Sequence, residues 1–393
     1  MQASRSIWAD AVHDASGRSP SLLQLTTYFL RLGASGFGGP AALAERMRRD
    51  LVEARGWITP VDFDLGLSLA AACPGPLAYQ LAVYCGFACA GTVGALAVAV
   101  AFAAAPFAIV LAISLAYVRW SGVPLLDAIF YGVSPAVVAL IVRACWNLGR
   151  KTLKSDVVSW ALAAVACGVT MATGQELFAV ILAAGLVGIV AFRGPPVRRV
   201  ASETAERHVS AAFPMIAVST TATTASSLFA FFFKTGCAVF GSGLVIVPFL
   251  RAYVVHNYAW LTDRQFRDAV AIGLMSPGPV VITATFVGFI VDGVTGAAAA
   301  TVGMFAPAVL FTLVATPIFR RHGASRVVRG FVRGVTSAVV GVLAGTVPLI
   351  ASTAIVDVLT AAIGIAAVLL LAWRRLPEPL VIAGGAIVGL VVR

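Results

Sequence analysis

Cys73-Pro74-Gly75-Pro76 lies in the middle of an apolar run over residues 63–91, and Ser276-Pro277-Gly278-Pro279 lies in the middle of a second run over 266–293. Two prolines around a glycine cannot be carried through a helix: each proline removes an amide donor, and the residue ahead of it is pushed out of the helical region. A straight helix over the first run would be roughly 42 Å long against a hydrocarbon thickness of about 30 Å, so the break falls near mid-depth. Backbone opened at that depth is tolerated only where protein or a wet cavity covers it. Both breaks are therefore candidate sites.

The composition places these runs in a membrane. With 60% hydrophobic and 11% charged residues, long apolar runs recur along all 393 residues between short Arg-rich loops. Strand alternation is absent, so the runs read as helices and exclude an outer-membrane barrel. A net charge of +11 would point to nucleic acid in a soluble chain. Here the bases cluster between apolar runs, as in cytoplasmic loops, so the partner is the lipid bilayer and no nucleic acid is expected. The six cysteines fall in or beside apolar segments without CxxC spacing and read as small buried residues; neither a metal nor a cofactor is expected.

In order, residues 22–39 read as a first membrane helix carrying Arg31, and residues 40–55 as an amphipathic segment lying along the interface, anchored by Trp57. The broken run follows, then a long helix over 92–118 and apolar segments at 125–146, 157–172 and 177–192. A polar cytoplasmic linker, 193–210, separates an N-terminal membrane repeat (1–192) from a C-terminal one (211–393). An offset of 203 places Arg31 on Lys234, Gly38 on Gly241, Trp57 on Trp260 and Pro74-Gly75-Pro76 on Pro277-Gly278-Pro279. The chain is an internal duplication.

Matching loops differ in basic content. Residues 40–56 carry four arginines where 243–259 carry only Arg251, while Arg320, Arg321, Arg326, Arg329 and Arg333 answer a nearly uncharged turn after Arg119. By the positive-inside tendency, matching loops face opposite sides. The expected fold is an all-α polytopic membrane protein of two inverted-topology repeats, with broken or re-entrant helices at the Pro-Gly-Pro motifs. Each repeat is expected to hold five full spans and one broken hairpin, a secondary-transporter build.

The chemistry of the break follows from its termini. If Gly75 ends one half-helix and Pro76 opens the next, the amides of Leu77, Ala78 and Tyr79 point into the break with no capping side chain, and Val280 and Val281 offer the same in the second copy. An uncapped helix start at low dielectric attracts an anion. Gln80, Thr283 and Thr285 stand ready to add donors, and Arg31 and Lys234 place equivalent cations inside membrane helices. Plainer readings stand beside these: a proline kink, snorkelling cations, and glycines that only let helices approach.

At these residues the chain resembles the chromate ion transporter family in its long, two-domain form. The matching pieces are Gly36-Phe37-Gly38-Gly39-Pro40, Arg48-Arg49-Asp50-Leu51-Val52-Glu53 with Gly56-Trp57, and Pro74-Gly75-Pro76 with Gln80; in the second half they are Phe240-Gly241-Ser242-Gly243, Trp260-Leu261-Thr262 and Pro277-Gly278-Pro279 with Thr285. Departures are Leu77 where the family commonly has Asn, Leu43 where His is common, and Ser242 inside the second glycine pair. The resemblance implies a multi-pass inner-membrane transporter that exports chromate and confers resistance. The same architecture would also serve another tetrahedral oxyanion such as sulfate. The expected substrate site comprises Arg31, Phe37, Gly38, Gly39, Pro74, Gly75, Pro76, Leu77, Ala78, Gln80, Lys234, Phe240, Gly241, Pro277, Gly278, Pro279, Val280 and Thr283. No nucleotide-binding loop is present, so a proton gradient or anion exchange would supply the energy. An enzyme is disfavoured, since no catalytic constellation lies at membrane depth and Asp357, the clearest intramembrane carboxylate, has no visible partner. A homodimer is left open.

Overall fold

Ser21 starts the first helix, α1 (Leu22–Ser35), by a reciprocal cap: its hydroxyl accepts from the Gln24 amide while the Gln24 side chain accepts from the Ser21 amide. Here and below the coordinates are a computed structural model, which describes residues 20–36, 39–120, 124–153, 156–173, 178–192, 224–241, 250–322, 326–373 and 378–392. After Gly36 the chain folds back as α2 (Gly39–Met47), continued by a π-helical stretch at Arg48–Ala54. Tyr28 donates from its hydroxyl to Asp50 at 3.2 Å, Arg46 donates to the Ser35 carbonyl at 3.3 Å, and Arg55 covers the rings of Tyr28 and Trp57.

This corrects the expectation of a full first span followed by an interfacial helix. A 14-residue α1 is about 21 Å long, too short to cross. Arg46 and Asp50 of this folded-back segment are engaged with α1, while Glu45, Arg49 and Glu53 stay exposed.

The broken run also enters and returns. Thr59 caps α3 (Pro60–Ala72), whose Pro60 occupies a first-turn position where the missing amide costs nothing. After β1 (Gly75–Pro76) the chain continues as α4 (Leu77–Arg119). Gly66 packs under the Tyr84 ring, and Cys89 lies 3.9 Å from the Trp57 carbonyl, so α3 and the start of α4 run antiparallel. The chain reverses again inside α4, where Gly91 takes φ 61° and ψ −153°, open to glycine at little cost. Residues 77–89 and 92–119 are thus two arms, joined side by side by a hydrogen bond from Tyr79 to the Ala99 carbonyl at 3.0 Å. Then come α5 (Pro124–Thr152), α6 (Val157–Thr173) and α7 (Phe178–Ala191).

The second half repeats the series as α8 (Thr224–Ala238), β2 (Phe240–Gly241), a π-helical stretch at Arg251–Asn257, α9 (Asp263–Met275), a 3-10 turn at Val280–Ile282, α10 (Thr283–His322), α11 (Arg326–Ala354), α12 (Val358–Trp373) and α13 (Glu378–Val392). α10 reverses at Gly293, with φ 58° and ψ −145°, as α4 does at Gly91. The expectation of an all-α polytopic membrane protein holds, with α4, α5, α10 and α11 each containing a stretch long and apolar enough to cross. The expected linker, 193–210, lies outside the described residues.

The halves interlock. α5 packs against α12 and α13, and α11 packs against α6 and α7. Small residues permit both approaches: Gly132 meets the backbone of Gly385 and Gly389, and Gly334 meets that of Ala184 and Gly188. α5 and α11 run antiparallel, since Ser134, Val137 and Ile141 face Ile350 and Ala354 while Cys145 reaches the Val340 carbonyl at 3.7 Å. Polar contacts repeat the exchange. Asp156, which caps α6, meets Arg333 of α11 at 3.5 Å, and Asp357, which caps α12, accepts from Tyr131 of α5. Asp357 is therefore a partnered helix cap at an exposed end, which corrects its reading as an unpaired intramembrane carboxylate.

Candidate functional site: two crossed hairpin tips

Each Pro-Gly-Pro is the tip of its hairpin, and each tip is held by the other half of the chain. The Gly75 amide donates to the Val239 carbonyl at 2.5 Å, and the Gly278 amide donates to the Gly36 carbonyl at 2.8 Å. Gly36 and Val239 end α1 and α8, so these are one contact made twice with the halves exchanged. In the first copy the pairing extends to a two-residue parallel ladder, Gly75 with Phe240 and Pro76 with Gly241.

Glycine is required at both tips. Gly75 has φ 136° and Gly278 φ 93°, where side-chain-bearing residues are strained. Space is short as well: a Cβ on Gly75 would stand 2.9 Å from Ala308 Cβ, and one on Gly278 would stand 2.8 Å from Pro106 Cγ. Each tip thus lies against the long arm of the opposite half.

At the first tip, Pro76 precedes α4 without any side-chain cap; the ladder to Gly241 takes up the Leu77 amide, and those of Ala78 and Tyr79 lack the acceptors that a helix interior supplies. Gly75, Pro76, Ala78, Tyr79 and Gln80 are all buried. Gln80 donates from Nε2 to the Pro74 carbonyl at 2.6 Å, and its Oε1 is buried without a hydrogen-bond partner among the described residues.

The second tip is built differently. Val280–Ile282 forms a 3-10 turn in which the Ile282 amide donates to the Pro279 carbonyl at 3.0 Å. Thr283 donates to the Val280 carbonyl, Ser276 to the Gly273 carbonyl, and Thr285 pairs with Thr301. More of its hydrogen-bonding capacity is used internally.

The structure thus brings Pro74, Gly75, Pro76, Leu77, Ala78 and Gln80 into the same crossing as Phe240 and Gly241, with Pro277, Gly278, Pro279, Val280 and Thr283 at the equivalent crossing with Gly36. Phe37 and Gly38 lie outside the described residues, and Gly39 opens α2 next to the Gly36 end. Arg31 and Lys234 stand on exposed faces of α1 and α8, five residues before Gly36 and Val239. They flank the tips and do not enter the buried crossing.

Two further polar contacts link the halves. Arg320 reaches Asp62 at 3.5 Å and lies over the Tyr84 and Phe87 rings, while Tyr117 donates to Asp268 at 2.7 Å beside Phe286. Asp268 is 2% exposed and was missed from sequence. Its signal was present as a carboxylate inside the second broken run, where the equivalent residue of the first is Leu65.

Fold and crossing together define a polytopic membrane protein whose interior is built from two paired, broken helical hairpins. The chain belongs to the chromate transporter family: the profile described as "Chromate transporter" matches residues 23–189 and again 226–390, its two matches beginning 203 residues apart. It is 44% identical to the "Chromate transport protein" of Cupriavidus metallidurans over 98% of this chain and 96% of that one. It is 42% identical to the "Probable chromate transport protein" of Synechococcus elongatus, over 94% and 95%, and 31% identical to the "Chromate transport protein" of Pseudomonas aeruginosa, over 86% and 83%. No solved structure matches. Members of the family are transport proteins, not enzymes.

Proposed function

We propose that this protein is a secondary transporter that carries chromate out across the inner membrane by alternating access, and so confers chromate resistance. The observation that carries the reading is the reciprocal contact of the two tips, Gly75 with Val239 and Gly278 with Gly36. Each contact holds a buried helix start against the end of the other half's first helix, where a tetrahedral oxyanion replaces the missing acceptors. The names of the relatives supply the anion.

The halves act as inverted-topology repeats. Support comes from the antiparallel course of the equivalent helices α5 and α11 and from the opposite basic content of matching loops.

Because Gly75, Pro76 and Gln80 are buried, the described arrangement is an occluded one, and release requires the tips to part. Chromate flux in proteoliposomes holding the full chain, with and without a pH gradient, tests the proposal. Counter-flux that depends on chromate is expected; its absence in both conditions overturns the reading.

A further inference from the structure

Asp268 is a buried carboxylate that neither tip uses. It lies inside the second broken run, 2% exposed, and its partner comes from the other half of the chain: Tyr117 donates to its Oδ2 at 2.7 Å. The phenol is itself fixed from both halves, packed in T-shaped fashion on Phe130 of α5 and Phe286 of α10 with ring centroids at 6.0 and 5.1 Å. Asp268 stands on α9 ahead of Ser276, so that about two turns of helix, roughly 12 Å, join this contact to the second tip.

The charges that bear on it are few. Arg264, one turn earlier on α9, and Arg267 are the cations, and Tyr117 is the group presented by α4. Residues 280–291 and 379–392, from the other stretches packed on α9, carry no charged side chain; α5 presents Ser134, Val137 and Ile141, and Arg251 of the π-helical stretch is bonded to Asp263. Burial penalises the ionised carboxylate, whereas water admitted by opening the contact, with two guanidiniums close by, restores it.

The first hairpin makes the corresponding contact with different chemistry. Arg320 and Tyr117 lie within one residue of equivalent places beyond Gly293 and Gly91, and Arg320 meets Asp62 of α3 at 3.5 Å. Each hairpin is thus fastened to the end of the opposite half's long arm. Asp62 faces a permanent cation; Asp268 faces a phenol, which supplies a hydrogen bond and no charge.

We propose that Asp268 is the proton-binding residue of the transport cycle: it takes a proton from water as the second hairpin shuts against α4, and returns it to water when that contact opens. The assignment rests on the transport reading and deepens it, naming the group through which a proton gradient drives the carrier.

The test is chromate accumulation by the full chain in proteoliposomes, at clamped membrane potential and several pH gradients, for the wild type and for Asp268→Asn, whose amide still accepts from Tyr117. In the wild type each unit of gradient changes the accumulation ratio about tenfold, the effect of one coupled proton. Asp268→Asn loses the response to the gradient while still exchanging chromate at equal pH. A response that survives in Asp268→Asn overturns the proposal; so does a folded Asp268→Asn protein that no longer exchanges chromate, since a structural contact alone explains it. If that variant does not fold, Tyr117→Phe decides: the pH of half-maximal flux rises by about one unit because the donor to the ionised form is gone, and an unmoved profile is equally fatal. Absence of chromate flux from the wild type in every condition removes the transport reading, whereas chromate flux whose gradient response ignores Asp268→Asn removes only the role of Asp268.

Discussion

The two Pro-Gly-Pro tips share a backbone and differ in chemistry. Both place a glycine at positive φ against the opposite half, and both give its amide to the carbonyl that ends the other half's first helix. The first then opens directly into α4 with its amides uncapped and Gln80 folded over the break. The second tightens into a 3-10 turn and spends the hydroxyls of Ser276, Thr283 and Thr285 nearby. Duplication preserved the geometry by which each half grips the other. The capacity to bind is concentrated in one copy.

The sharpest way to break this comparison is to strain both tips. Gly75→Ala and Gly278→Ala each add a methyl where φ and space forbid it, and each is expected to lower chromate flux about tenfold or more at unchanged protein level. An effect at one tip only would mean that the shared backbone is not needed twice.

Next comes the chemistry that differs. Gln80→Met removes the side chain folded over the first break and is expected to lower flux several-fold, whereas Thr283→Val removes a hydroxyl already donated to the Val280 carbonyl and should lower it less. A larger change in Thr283→Val would reverse the assignment of the binding copy.

Smaller still is the effect of the flanking cations. Arg31→Gln and Lys234→Gln should each weaken flux a few-fold at about 0.01 M salt and less at about 1 M, because exposed charges are screened. An effect that ignores salt would place these side chains on the bound anion.

The smallest effects concern the reciprocal helix caps. Hydrogen bonds from Ser159, with Arg333 nearby, hold Asp156 below the ordinary carboxylate range; the Thr360 amide and then the Tyr131 hydroxyl do the same for Asp357. A depressed folded value means that the contribution is present above the unfolded value, about 3.9, and is lost as pH falls through the folded one. Thermal midpoints of wild type should therefore be insensitive to these caps from about pH 5 to 8. Asp156→Ala should lower the midpoint by about 2 °C in that window, and the deficit should vanish in stronger acid.

Much of this was legible in sequence because prolines and glycines are unambiguous. Pro74, Pro76, Pro277 and Pro279 announced where helices stop, and their common offset announced the duplication. The first hairpin was not legible. An apolar 22–36 reads as a span, and only the contacts from Tyr28 to Asp50 and from Arg46 to Ser35 show that the amphipathic segment turns back on it. Nor could periodicity show which half supplies the partner of each tip, since a carbonyl such as Val239 leaves no mark in the sequence. Asp268 was passed over because it lies inside an apolar run and its partner, Tyr117, comes from the other half of the chain.

The packing of α5 on α12 and α13, answered by α11 on α6 and α7, bears on how such a molecule can move. Neither half can swing as a unit without tearing glycine-to-glycine seams along its whole length. Under the alternating-access proposal, the moving part and the stationary part would therefore each be a hybrid of the ancestral twins.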